Sequence, residues 1–293
     1  MPVPQQQAEI IGPAAVPGPP QRARRRLGGD APRWVVVAIQ VGLLVVLLGT
    51  WQLLADTKTI DTFFFGSPSG TWDELISWIE HGTTAGPLQE QIWVTLQEAV
   101  IGFLIGAGLG VICGVVLARF PLLARVFNIY ISVSNSVPRI VLGSVFLIWF
   151  GLGLTSKVAL VVVLVFFSVF FNAFQGAREV DRGLESNARV LGASRAEVML
   201  HVVLPSTFTW IIASLRVAFG LAITGAVVGE LIGATAGLGL LIQEAQGNFE
   251  PDGVYAGLIV TTVVALVAEV LITVLERRLL RWQPPRRSLG SEL

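Results

Sequence analysis

The chain has 293 residues, of which 53% are hydrophobic and 14% charged, and its 20 basic and 20 acidic side chains balance to a net charge of zero. Soluble domains carry about 25% charged residues, so a mean hydropathy of +0.72 places most of this chain in lipid, and the charge balance gives no bulk attraction to nucleic acid. A single cysteine, Cys113, excludes a disulfide framework and a cysteine-based zinc site, and His81 and His201 stand in no metal-ligand pattern.

Residues 1–32 are rich in Pro, Gln, Ala and Arg, cannot bury a core, and are expected to form a disordered cytoplasmic tail. Trp34 to Ala55 then runs 22 residues without a charge. That is longer than the apolar core of a secretory signal, about 7–15 residues, and no A-x-A site follows, so it reads as a first transmembrane helix. Further spans are expected at 94–118, 123–150, 157–175, 208–234 and 254–276. The third contains Pro138 and Arg139 and is expected to be kinked or broken. In the loop before the second span, Thr71-x-x-Glu74 reads as a capping box. Trp72, Leu75, Ile76 and Ile79 follow on one face of a short helix ending at Gly82, which lies on the outer membrane surface or packs against the spans.

Arginine and lysine set the orientation. With the N-terminus inside, 16 of the 20 basic residues fall in cytoplasmic segments, the outer loops keep Lys58 and Lys157, and Arg139 and Arg216 lie within spans. This asymmetry is the positive-inside pattern. It predicts an all-α membrane protein of six transmembrane helices with both termini cytoplasmic, a membrane domain over 33–282 and a cytoplasmic tail over 283–293.

Gly102, Gly106, Gly110 and Gly114 recur every four residues in the second span, and Gly225, Gly229, Gly233 and Gly237 do so from the fifth span into the next loop. Small residues at this spacing let another helix approach closely. The Gly106-x-Gly108-x-Gly110 fragment has no strand before it and is not a dinucleotide fingerprint. Cys113 reads as an inert packing residue and His201 as a surface residue.

The cytoplasmic segment 176–207 is the most informative. Arg182, Glu185 and Arg189 share one helix side, with Glu185 and Arg189 a favourable i,i+4 pair, and Leu184, Ala188 and Leu191 form the apolar side. Gly192 breaks that helix; Ser194-x-x-Glu197 caps a second one, whose apolar face is Val198, Met199 and Val202, and Pro205 is expected to end it. Two short helices over 183–205 are thus offered to the cytoplasm. Charges within spans are expensive and are candidates for function. Ser134, Asn135, Pro138, Arg139, Arg216 and Glu230 are candidates for a translocation pathway, while Glu230 and Glu269 also read as satisfying neighbouring helices.

The segment resembles the EAA loop of binding-protein-dependent ABC importer permeases, roughly E-A-A-x-x-x-G followed by I-x-L-P. Gly192, Val202, Leu204 and Pro205 match in spacing. The run Arg189 to Arg195 looks like the version in the nitrate, sulfonate, taurine and bicarbonate branch, as do Pro138-Arg-Ile, Leu147 to Gly153 and Gly237 to Ile242. The glutamate position is Ser186, with Glu185 displaced by one, the first alanine position is Asn187, and Ala188 matches; Glu98 stands where relatives often have a basic residue.

The resemblance implies a type I ABC importer-like permease, multi-pass in the bacterial plasma (inner) membrane. It would move a small anion such as a sulfonate, nitrate or bicarbonate, delivered by an external solute-binding protein. Two permease copies, as a homodimer, would work with two ATPase subunits. ATPase coupling falls on Glu185, Ser186, Ala188, Arg189, Gly192, Ala193, Arg195, Val202, Leu204 and Pro205.

The chain itself carries no catalytic residue and binds no cofactor in this reading. Its only lysines, Lys58 and Lys157, follow Thr57 and Ser156, so G-x-x-x-x-G-K-[ST] is impossible and ATP with Mg would be used by the partner. No catalytic acid pair, Ser-His dyad or metal cluster marks an intramembrane enzyme. An ATPase-independent secondary transporter or channel is the alternative; it predicts matched broken helices in two halves and leaves the cytoplasmic helix pair unexplained.

Overall fold

The computed structural model describes residues 32–180 and 182–279. The expected tails at 1–32 and 283–293 lie outside these apart from Pro32. The described residues are helical, with no strand among them. By internal packing the chain divides into one unit up to Gly49 and a second from Thr50 onward. Helix α1 (Arg33–Asp56) begins in the first and is apolar on all sides. Its last turns belong to the second unit, where Trp51 meets Tyr255 edge-on at 5.1 Å.

Proline and glycine set most of the boundaries in the second unit. Short α2 (Thr62–Phe65) leads to α3 (Pro68–Glu80), and α4 (Leu88–Arg119) follows Pro87 as an uninterrupted 32-residue helix. Pro121 opens α5 (Pro121–Ser136) at a first-turn position where no N–H is needed. Pro138 then forces Val137 into extended backbone, φ −76° and ψ 126°, and α5 stops. A 3₁₀ turn over Arg139–Val141 restarts the chain into α6 (Leu142–Phe150), which ends at Gly151 with φ +76°. Next come α7 (Leu154–Arg178), α8 (Arg182–Val190), α9 (Arg195–Val198), α10 (Leu204–Ile232), α11 (Leu238–Gly247) and α12 (Pro251–Leu279).

The glycine ridge of α4 is the seam with α7. A β-carbon on Gly102 would sit 2.4 Å from Val161, on Gly106 2.8 Å from the Val162 carbonyl, on Gly110 2.9 Å from the Phe166 carbonyl, and on Gly114 2.7 Å from the Phe170 carbonyl. Partner numbers rise with glycine numbers, so α4 and α7 run parallel. Residues 120–153 must therefore bring the chain back along the bundle between them. The second glycine series continues the seam: Gly225 meets Leu164, Gly229 meets Lys157 and Gly233 meets Leu147. Numbers fall along α7 as they rise along α10, so that pair is antiparallel. The core runs through these contacts: Val161, Val165 and Val169 pack with Ala218, Ala222 and Ala226, all fully buried.

Several sequence expectations change. Five helices among the described residues, against six expected spans, are long and apolar enough to cross a membrane; the third expected span is broken into α5 and α6, as Pro138 led one to expect. Ser67, not Thr71, caps α3 by accepting from the Gly70 N–H at 3.0 Å; Thr71 is buried inside the helix and donates back to the Ser67 carbonyl. The face of α3 that packs is Thr71, Leu75 and Trp78, while Trp72, Ile76 and Ile79 are exposed. Cys113 is exposed on α4 because the ridge of Gly110 and Gly114 takes the seam instead. Lys157 is no loop residue: it is 2% exposed in the first turn of α7.

Candidate functional site

The helix pair expected in the cytoplasm forms as the sequence dictates at its turn. Gly192 adopts φ +92°, a conformation other residues reach only with strain. Its neighbourhood closes α8: the Gly192 N–H donates to the Arg189 carbonyl at 3.0 Å and the Ala193 N–H to the Ala188 carbonyl at 3.0 Å. Ser194 and Glu197 then make a reciprocal capping box, the Ser194 N–H donating to Glu197 at 2.7 Å and the Glu197 N–H to Ser194 Oγ at 3.3 Å. Val198 and Val203 anchor α9 in a core with Val115, Ala173, Ala177 and Ile211, and Ala188, Ala193, Met199, Val202 and Leu204 pack partly against it.

Three expectations for this segment are corrected. Pro205 does not end the second helix. A π-helical turn over Met199–Val203 carries α9 directly into α10, where Pro205 occupies the first turn and needs no N–H partner. Glu185 pairs with Arg119 at the end of α4, at 2.7 Å, rather than with Arg189. Of the expected apolar side of α8 only Ala188 packs; Leu184 is exposed, and Val190 and Leu191 at the turn are 86% and 87% exposed. Ser186, Arg189 and Arg195 are exposed around that turn. The segment is thus anchored from behind by valines and tied to α4 by an ion pair, and it presents an apolar tip ringed by polar groups.

The pathway candidates do not converge in one chain. Ser134 and Asn135 lie in the last turn of α5, just before the break at Pro138. Arg139 starts the 3₁₀ turn with its guanidinium carbon 4.6 Å from the Phe167 ring centre on α7. Arg216 is exposed midway along α10. Glu230 is fully buried at the other end of that helix, and Glu269 is exposed on α12.

Glu230 belongs to a buried polar cluster that the sequence reading missed. Thr95 on α4 donates to Glu230 Oε1 at 2.7 Å, and the Gly239 N–H donates to Oε2 at 2.6 Å. Thr95 Oγ1 accepts from the Leu238 N–H at 2.9 Å and Gln91 from the Gly237 N–H at 2.8 Å. The first-turn amides of α11, which have no helical partners, are therefore satisfied by side chains of α4 and α10. Glu98 completes the α4 stripe, 2% exposed, and Lys157 supplies the facing positive charge while donating to the Leu152 carbonyl. The available signal was the spacing of Gln91, Thr95 and Glu98 at i, i+4 and i+7, blurred by Gln89, Glu90 and Gln97 in the same turns of α4. Among the described residues no cluster of His, Cys, Asp and Glu could hold a metal ion.

The chain has known relatives. The chain is 32% identical, over 83% of its length and 87% of the relative's, to the putative aliphatic sulfonates transport permease protein SsuC of Bacillus subtilis (strain 168). It is 30% identical, over 88% of its length and 94% of the relative's, to the taurine transport system permease protein TauC of Escherichia coli (strain K12). An inward-facing structure of the MetNI methionine ABC transporter superposes with a TM-score of 0.55 at 19% identity, over 66% of this chain and 94% of that one, which shows a shared fold. Residues 106–281 match the family of binding-protein-dependent transport system inner membrane components, and the chain belongs to that family of ABC transporter permeases.

Proposed function

We infer that this permease forms the translocation pathway of an ATP-driven importer for a small organic solute that bears a sulfonate group, taurine included. The family works with a binding protein, and an external one would deliver the solute here. A separate ATPase subunit would dock on α8 and α9, and two copies of each chain would make the working unit. Counting the return through α5 and α6, each copy would cross the membrane six times. The observation that carries the reading is the anchored helix pair with its bare tip at Val190 and Leu191. Large apolar side chains held clear of the core gain about 1.5–3 kcal/mol each when buried, and here they sit between two spans that a docked subunit could move. The relatives named for aliphatic sulfonates and taurine support the substrate class.

The test is reconstitution in lipid of this chain with the ATPase that co-purifies with it and the matching binding protein. Hydrolysis should rise when the binding protein is loaded with taurine or an alkanesulfonate and stay low without it. Stimulation by nitrate or bicarbonate alone would replace the substrate class. Solute movement by the permease without an ATPase would replace the importer reading with a secondary transporter or channel.

A further inference from the structure

Behind the exposed turn lies a cavity of about 330 Å³. Arg119 reaches it from the end of α4, Glu185 and Arg189 from α8, and Arg195 from α9. Three cations face one anion, a formal excess of two positive charges. Glu185 engages Nη1 of Arg119 at 2.7 Å, but Nε and Nη2 of the same guanidinium are buried and make no hydrogen bond. A guanidinium is a planar fork whose two parallel N–H groups match the two oxygens of a carboxylate. Buried donors left unmade in this way are uncommon in a finished structure and call for a partner, which a water, an ion or a docking group can supply.

We propose that this cavity receives an aspartate or glutamate side chain of the ATPase subunit, beside the groove in which that subunit takes Val190 and Leu191. The inference rests on reading α8 and α9 as the ATPase dock, and it fixes the polarity of the contact: the permease supplies the cations. Charge complementarity argues for it, because the apolar tip alone would bind any greasy groove, while the arginines select one with an acid at its rim. A lipid phosphate is the weaker occupant. The tip beside the cavity is ringed by exposed Ser186, Asn187, Ser194 and Glu197, which do not suit acyl chains. The incoming carboxylate shares Arg119 with Glu185, so docking engages α4 as well as the two spans that α8 and α9 join.

The chain's lysine content makes the contact testable by zero-length cross-linking. Its two lysines are Lys58, after α1, and Lys157, buried in α7, and neither lines the cavity. The permease carrying Arg189→Lys or Arg195→Lys is purified with its ATPase in phosphatidylcholine nanodiscs and treated with a water-soluble carbodiimide, which joins an amine to a carboxylate only on contact. The expected product is a permease–ATPase conjugate whose junction peptide joins the introduced lysine to an ATPase aspartate or glutamate, a junction that wild type cannot form. In the same neutral lipid, the Arg189→Glu/Arg195→Glu pair should weaken ATPase retention about tenfold or more.

Leu191→Asp separates the two claims. If wild type holds the ATPase and Leu191→Asp loses it, yet neither lysine variant forms the conjugate or each joins only to Glu185, docking stands and the carboxylate contact is overturned. If retention depends on added phosphatidylglycerol and not on an ATPase carboxylate, a lipid headgroup fills the cavity and the inference is equally overturned. If wild type holds no ATPase, the docking reading itself fails.

Discussion

At the scale of single residues, Glu230 carries more than its own burial. Its two oxygens accept from Thr95 and from the Gly239 N–H, and Lys157 lies within electrostatic reach. Removing it would strand the buried Gly239 N–H and leave Thr95 only its longer bond to the Gln91 carbonyl, while Lys157 would keep Glu98 as a counter-charge. A buried donor left without its acceptor costs about 1–3 kcal/mol, so Glu230→Ala should unfold in mild detergent at lower temperature than wild type, read by thermal denaturation. Glu98 makes the opposite case. It brings a second acid to a site with one base, and its Oε2 is buried without a hydrogen bond. Glu98→Gln keeps the shape and cannot add a second negative charge beside Glu230, so its denaturation temperature should equal or exceed that of wild type. A large loss on Glu98→Gln would mean that both acids need their charge. None of this could be read from Glu230 alone in the sequence, because its partners lie 135 and 9 residues away and come from two other helices.

At the scale of elements, the glycine period in α4 was legible and its partner was not. A four-residue repeat of small side chains says that something approaches closely; only the fold shows that it is α7, in parallel. Adding side-chain bulk there must push carbonyls of α7 away. Gly110→Val should therefore cost about 1–3 kcal/mol of stability, while Gly108→Val on the open side of the same helix, where a β-carbon meets nothing within 4 Å, should cost little. Equal loss from both would show that the seam with α7 does not set the cost.

The cytoplasmic pair shows the same division. Gly192, Ser194 and Glu197 announced a turn and a cap because their chemistry is local. Pro205 misled because a first-turn proline also suits the start of a helix, and the π turn before it lets α9 and α10 run on. Ser194→Ala removes the cap, worth about 0.5–2 kcal/mol. Amide exchange over 195–203 should quicken while α10 beyond Ile211 stays protected.

At the scale of the whole molecule, composition and the arginine distribution gave the class and a sidedness. The count of crossings depended on a segment the sequence could only call broken. The glycine contacts resolve the geometry: α4 and α7 are parallel, so the chain between them must return, even though α5 has 16 residues and α6 nine. A span of about 20 residues is needed to cross hydrocarbon as one helix. Two short helices joined at Pro138 achieve the return only if the bared backbone at the break is shielded by protein or water, which places the break against α7, where Arg139 meets Phe167.

This topology has a direct test. Cys113 is replaced by alanine, at an exposed position where little packing is lost, and single cysteines are introduced at exposed Gln89, Thr155 and Ser186. Gln89 starts α4, Thr155 starts α7 and Ser186 lies in α8. With α4 and α7 parallel, Gln89→Cys and Thr155→Cys must react together with a membrane-impermeant maleimide applied to intact spheroplasts, and Ser186→Cys must react only after permeabilisation. Labelling of Gln89→Cys without Thr155→Cys would mean that residues 120–153 do not cross, and the six-span arrangement would fall with it. Labelling of Ser186→Cys alone from outside would invert the molecule and remove the dock from the side where ATP is found.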